Sequence, residues 1–385
     1  MIAFQILGIV LCLVAGPLVL QGQWVAMRSD ADSLLRNGAQ LIYNLKFNQA
    51  HANFTEVIRR YPDNPAGYFL DAMIEFWQIR LDRSARGYDQ KFLDKIDQVL
   101  TVCERRLEKD PYDVGALFFK GGAIGYRAQF YAQRESYLNA VTDGKTGLDI
   151  LVQCYQLAPG NHDIMLGTGI FDYFAEAIPE RNPILKPLMA FVPSGDKRMG
   201  IVRLEAASRK ARYANVEAEV VLLQIYYDWE KDYTKAKSLA KSLVDRYPDN
   251  SYFLRYYGRS LISAGPMDSA ETVWRRLLVQ YMDKSFGHDR HLAREALYYV
   301  GLCRMIAGDH DWALKYFYKA DEASRALDQD PSGFMVKTNL KIGQIYDMQG
   351  KRELALRQYD KVLKWENKGG SHEEAQRYKQ QPYKR

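Results

Sequence analysis

Residues 220–250 read VVLLQIYYDWEKDYTKAKSLAKSLVDRYPDN, and residues 251–278 continue SYFLRYYGRSLISAGPMDSAETVWRRLL. Each stretch predicts a helix, a tight polar turn and a second helix. The two keep step: Gln224, Tyr227, Ala236, Ala240, Leu243 and Pro248 are followed 34 residues later by Gly258, Leu261, Ala270, Trp274, Leu277 and Met282. Leu254, Tyr257 and Leu261 recur at the spacing of one helical face, so each helix has an apolar side to bury.

A helix–turn–helix unit with a period near 34 is the signature of tetratricopeptide repeats. The expected fold is therefore all-α, a right-handed α-solenoid of tetratricopeptide-like repeats. Its helices must cross closely, which requires small residues, and Gly258 and Ala270 supply them 12 residues apart. The same step recurs as Gly301 to Ala313, Gly343 to Ala355 and Gly38 to Ala50, each with an aromatic four residues beyond the alanine: Trp274, Phe317, Tyr359 and Phe54.

A solenoid grows by stacking rather than by enlarging one core, so the 385 residues need not form separate globular domains. Formal charge is +6, spread along the chain. It lacks the concentrated basic patch of a nucleic-acid binder, and no nucleic-acid partner is expected. The 27 tyrosines read mainly as fillers between helices. Cys12 lies in the apolar N-terminal run, and Cys103, Cys154 and Cys303 stand singly on apolar faces, which predicts three small core hydrophobes; without metal-ligand spacing no zinc site is expected.

Residues 1–27 read as a signal peptide or membrane anchor, because the run 2–20 is almost wholly apolar and about 20 such residues span a bilayer. An exported protein is expected, periplasmic or membrane-anchored in a bacterium, with possible membrane attachment through 2–20. Residues 28–160 read as long N-terminal repeats, with Arg60-Tyr61-Pro62-Asp63-Asn64 recurring at Arg246-Tyr247-Pro248-Asp249-Asn250. Gly121-Gly122-Ala123-Ile124-Gly125 predicts a close helix contact. Gly144-Lys145 lacks the glycine a phosphate loop needs at Asn139 and reads as a helix boundary.

Residues 161–214 read as a divergent helical region with a proline-rich insert. Pro179, Pro183, Pro187 and Pro193 forbid one long helix there. Ile184, Leu185, Leu188, Met189, Phe191 and Val192 are expected either to fold back onto the repeats or to touch a membrane or partner. Residues 215–367 are the C-terminal repeats, where Arg304 and Asn339 replace the usual bulky apolar residue. His288 and His291 read as part of a solvated loop, and residues 368–385 as a frayed basic tail.

The stretch from Gly167 to Tyr173 (G-x-G-x-F-x-Y), the prolines, Gly195-Asp196 and then EAEVVLLQIYYDWEKDYTKAKSLAKSLVDRYPDNSYF resemble a group of exported bacterial tetratricopeptide proteins. They also look like the eukaryotic inclusion-body clearance class, over roughly residues 30–280. The resemblance implies helical repeats with an interaction role, and it carries over no catalytic residue.

No nucleophile, metal or phosphate motif appears, so a non-enzymatic scaffold without cofactor is expected. It would present a concave helical groove to a protein or peptide partner. The alternatives are a structural subunit of a membrane-anchored envelope complex, or an enzyme with an unrecognised site. First helices of the pairs should line the groove. Offsets from the crossing glycines pick out Tyr252, Arg255 and Arg259, then Tyr298, Leu302 and Met305, then Lys337, Gln344 and Asp347. Tyr252, Arg255, Arg259, Tyr298 and Lys337 are the expected partner-binding residues. Arg255 and Arg259 share a helical face and suit an acidic group or C-terminal carboxylate. Alternatively, Asp228 already pairs with one of these arginines.

Overall fold

Four aromatic rings lie on four glycines, and these contacts hold the helix pairs together. In the computed structural model, which describes residues 29–190 and 192–384, a β-carbon on Gly258, Gly301 or Gly343 would stand 2.8, 3.0 or 2.6 Å from Trp274, Phe317 or Tyr359, and one on Gly38 would meet Phe54. All four rings are fully buried. The spacing had pointed to alanine as the partner of each glycine. The room left by the missing side chain is instead taken by the aromatic four residues further on. The expected signal or anchor over 2–20, Cys12 and Phe191 lie outside the described residues.

The described residues are all helical or irregular, an α-solenoid of helix pairs, and they fall into two compact units. The first takes residues up to 42, 46–77 and 87–221; the second takes 43–45, 78–86 and 222 onward. In the first run α1 (Ser29–Tyr43), α2 (Phe47–Arg60), α3 (Pro65–Leu81), α4 (Asp89–Leu107), α5 (Val114–Gln133), α6 (Tyr137–Leu157), α7 (Ile164–Arg181), α8 (Lys186–Met189) and α9 (Lys197–Lys210). α3 gives its last turn to the second unit, and α10 (Asn215–Gln224) is likewise divided. One π-helical turn, Ile225–Trp229, continues α10. Then come α11 (Tyr233–Arg246), α12 (Ser251–Ala264), α13 (Met267–Met282), α14 (Arg290–Ile306), α15 (His310–Leu327), α16 (Gly333–Met348), α17 (Arg352–Leu363) and α18 (Ser371–Gln380).

Local chemistry sets the ends of these helices. Asp113, Asp232, Asp289 and Asp309 each accept a bond from a first-turn amide, as N-caps do. The repeated Tyr-Pro-Asp-Asn turn closes alike in both places. Asn64 accepts from Ala66 N at 3.0 Å, while fully buried Asn250 accepts from Tyr252 N and donates to the Tyr43 carbonyl at 2.8 Å. At the pair turns, Leu45, Glu135, Gly308 and Gly350 take left-handed backbone. The next amide in each turn bonds a carbonyl five residues back: Lys46 to Leu41, Ser136 to Tyr131, Asp309 to Arg304 and Lys351 to Tyr346. This is the Schellman ending, in which glycine is the strain-free occupant.

In the first unit some glycines also meet backbone directly. A β-carbon on Gly147 of α6 would stand 3.1 Å from the Gly121 carbonyl and 3.3 Å from Gly125 N of α5, the close approach that the glycine run predicts. α6 runs unbroken through Gly144-Lys145, which is a helix interior and not the boundary expected. Within 161–214, α7 and α9 form a pair of their own, with Gly200 against Gly169 O and Tyr173 N. Pro179 sits in the last turn of α7, Pro183 in a 3-10 turn (Pro183–Leu185) and Pro187 in α8, while Pro193 lies in the irregular stretch before α9. Ile184 is 87% exposed, so this insert does not plug the repeats through that residue.

Arg304 and Asn339, the two departures from apolar consensus, are both paired. Arg304 Nε bonds buried Glu271 at 2.7 Å, beside Arg275. Asn339 Nδ2 bonds Asp321 Oδ1 at 2.5 Å and its oxygen accepts from Lys361. The tail is not frayed: α18 packs on α17, and beyond it Tyr383 N donates to Asp347. Its apolar positions outweigh its polar appearance, with Ala375 fully buried in the cluster around Tyr359. His288 is also no free loop residue, since its ring bonds Gln280 Oε1 and the Phe286 carbonyl, both at 3.1 Å. Cys103, Cys154 and Cys303 are buried single thiols, as their spacing predicts.

Candidate functional site

α12 carries Tyr252, Arg255, Tyr256 and Arg259 at i, i+3, i+4 and i+7, so they share one side of the helix. Both arginines converge on one carboxylate, that of Glu295 in the first turns of α14. Arg255 Nε and Nη2 each lie 2.6 Å from Glu295 Oε2; Arg259 bonds Oε1 through Nε and Oε2 through Nη2 at 2.9 Å. Glu295 is completely buried, whereas the Arg255 and Arg259 side chains keep 30% and 20% of their surface. Burial alone would push the Glu295 carboxyl up, but the two guanidiniums outweigh it and hold it below the usual range. Two positive charges against one negative leave this trio with a net charge of +1.

The π-turn sets the neighbouring wall. One extra residue in the turn closes a bond from Glu230 N to the Ile225 carbonyl, a local widening that is frequent at functional sites. Asp228 of this turn accepts the Tyr256 hydroxyl at 2.7 Å, and Gln224 Nε2 bonds the Tyr252 hydroxyl at 2.6 Å. Tyr227 packs edge-on to Tyr256 with centroids 5.6 Å apart, and Tyr252 lies 5.1 Å from Tyr256. Arg80 stands 5.7 Å over the Tyr252 ring and Arg259 5.8 Å over that of Tyr256, both at cation–π distance. Burial pushes the Tyr227, Tyr256 and Tyr299 phenols up. They stay neutral hydrogen-bonding groups, and Glu295, held by four arginine nitrogens, is no free base.

Of the residues expected to bind a partner, Tyr252, Arg255 and Arg259 are brought together. Tyr298 is not a surface residue: it is buried among Phe317, Phe334 and Tyr299, because its side of α14 packs against the following helices. Met305 and Gln344 are buried too. Lys337 is exposed on α16, next to Lys341. The carboxylate that takes both arginines is Glu295 of the following repeat, while Asp228 accepts from Tyr256. Glu295 escaped the sequence reading although it stands six residues before Gly301, the offset at which Tyr252 precedes Gly258 and Lys337 precedes Gly343. Among the described residues no group of three His, Cys, Asp or Glu could hold a metal ion, and no helix is long and apolar enough to cross a membrane.

Residues 224–250 match the family model for a tetratricopeptide repeat. Among solved structures, human IFIT1, as a dimer with PPP-AAAA, is similar at 13% identity, over 91% of this chain and 84% of that one, with a TM-score of 0.40. A Rap protein complexed with competence and sporulation factor is 14% identical over 91% of this chain and 78% of its own, with a TM-score of 0.32. A tetratricopeptide repeat protein from Parabacteroides merdae ATCC 43184 matches 77% of this chain and 94% of its own at 11% identity, with a TM-score of 0.29.

Proposed function

We propose that this chain is a non-enzymatic scaffold whose protein or peptide partner docks on the α12 face, through Tyr252, Arg255 and Arg259, with Lys337 as a further exposed cation. The preferred partner carries an acidic group or a free C-terminal carboxylate. One observation carries this reading: two arginines are fixed by a fully buried carboxylate, yet both keep exposed edges. Side chains already immobilised lose little entropy when a ligand binds, and charge-assisted bonds to guanidinium are strong.

The apolar run 2–20 and the resemblance to a group of exported bacterial tetratricopeptide proteins support a place in the cell envelope. A retained anchor would make the chain a structural subunit there, and intact-mass measurement on natively extracted protein separates retention from cleavage.

The binding test compares peptides ending in a free carboxylate with the same peptides ending in an amide, on the parent and on Arg255→Gln. That variant leaves Arg259 on Glu295. Loss of the arginine contact should cost about 1.5–3 kcal/mol of affinity. Equal binding of acid and amide forms by both proteins would remove the carboxylate preference.

A further inference from the structure

The segment after α18 is bound as a peptide ligand would be. Tyr383 N donates to Asp347 Oδ2 at 2.9 Å, and the Tyr383 ring packs edge-on to Tyr378 at 5.2 Å and, with Tyr346 and Met348, against the buried cluster that holds Met305, Phe317 and Ile345. The acceptor is prepared for this role. Asp347 has no exposed side-chain surface, and its two oxygens also take Arg352 Nη1 and the Tyr359 hydroxyl, each at 2.8 Å. Arg352 in turn bonds the Lys379 carbonyl at 2.6 Å. Beside Tyr383 and Lys384 an open pocket of about 410 Å³ remains, lined also by Gly308, His310, Asp347 and Met348.

We infer that the end of α16 around Asp347, with the α14–α15 turn, is a docking site for an extended peptide bearing a tyrosine followed by a lysine. The chain's own residues 381–384 fill it and keep other peptides out. A backbone amide on a buried carboxylate supplies affinity without demanding a sequence, and the apolar seat selects an aromatic ring. Pro382 holds the approach extended, which lowers the entropy lost on docking. None of these residues belongs to the α12 face, so this site stands or falls separately from the proposed one.

The test uses fluorescence anisotropy with a labelled peptide, Gly-Gln-Pro-Tyr-Lys-Arg, added to the full chain. A tethered segment acts at an effective concentration of about millimolar, so the parent should bind the free peptide weakly. Tyr383→Ala should bind it at least tenfold more tightly, and a peptide with alanine for tyrosine should not bind. A folded Tyr383→Ala chain that binds the peptide no better than the parent overturns the inference. If Tyr383→Ala fails to fold, Pro382→Gly gives the answer. Its looser tail should raise peptide affinity roughly two- to fivefold, and unchanged affinity overturns the inference equally.

Discussion

The indole of Trp274 lies on Gly258, so closely that a β-carbon there would stand 2.8 Å from Cε2 and 2.9 Å from Nε1. A rigid ring cannot yield as a flexible side chain would. Alanine should therefore lose by overpacking, about 1–3 kcal/mol, more than it gains in helix propensity, about 1 kcal/mol. Among Gly343→Ala, Gly258→Ala and Gly301→Ala the loss should fall in that order, following gaps of 2.6, 2.8 and 3.0 Å. Urea midpoints give the ranking, and a stabilised Gly343→Ala would refute the steric account.

Arg259→Ala strips Glu295 of half its partners while the carboxylate stays buried. Breaking a buried pair in this way costs about 3–5 kcal/mol, so the thermal melt should drop sharply and more so with Arg255→Ala added. A double alanine variant is therefore a poor binding probe, because it also destabilises the fold. Replacing Arg255, Arg259 and Glu295 together by methionine should restore much of the melt, since no charge is then left buried. A double alanine chain that melts with the parent would show that the trio contributes little.

Asp32 predicts an acid-sensitive step. Burial pushes its carboxyl up, but Arg212 at 2.7 Å and the Tyr213 hydroxyl at 2.5 Å outweigh this and hold it at about 2 instead of 3.8. Below 3.8 the unfolded chain takes up the proton first, so stability falls with pH until the folded group also titrates near 2. The contribution is complete above about pH 4 and lost between there and pH 2. Asp32→Asn should flatten that part of the curve of denaturant midpoint against pH. An unchanged slope would mean that other carboxyls dominate the acid response.

Leu45 and Glu135 hold the left-handed positions that Gly308 and Gly350 occupy in later repeats. For a residue with a β-carbon this conformation costs roughly 1–2 kcal/mol, against which glycine brings added freedom to the unfolded chain. Leu45→Gly and Glu135→Gly should be neutral or stabilising by up to about 1 kcal/mol, whereas Gly308→Ala and Gly350→Ala should destabilise. Calorimetric melting of the four variants checks the sign of each.

The repeats were legible because their signal is local: glycine, alanine twelve residues on and an aromatic four beyond mark a crossing without reference to anything distant. The α7–α9 pair was not, since its glycines meet backbone atoms and leave no aromatic partner in the pattern. Tyr298 was misplaced because periodicity gives the side of a helix a residue occupies but not how deeply the next helix covers it. Arg255 and Arg259 were found as a pair. Their partner stands some forty residues away on another helix, and only the repeat offset could have identified it. The polar tail looked frayed because its anchoring contacts, Tyr383 to Asp347 above all, are made by backbone and by one ring.

Several ion pairs of the second unit cross from one helix pair to the next, among them Arg259 to Glu295, Arg304 to Glu271 and Lys361 to Asp321. The seams of the array are therefore charged. Cutting the chain between α13 and α14 would part Glu295 from both arginines and Arg304 from Glu271; cutting between α15 and α16 would part Lys361 and Asn339 from Asp321. Each new end would turn freed guanidinium, ammonium and carboxylate groups toward water among its apolar positions. Shortened arrays ending at these seams should resist clumping better than arrays whose repeats meet through hydrocarbon alone, and length in this fold can change without leaving a wholly greasy end.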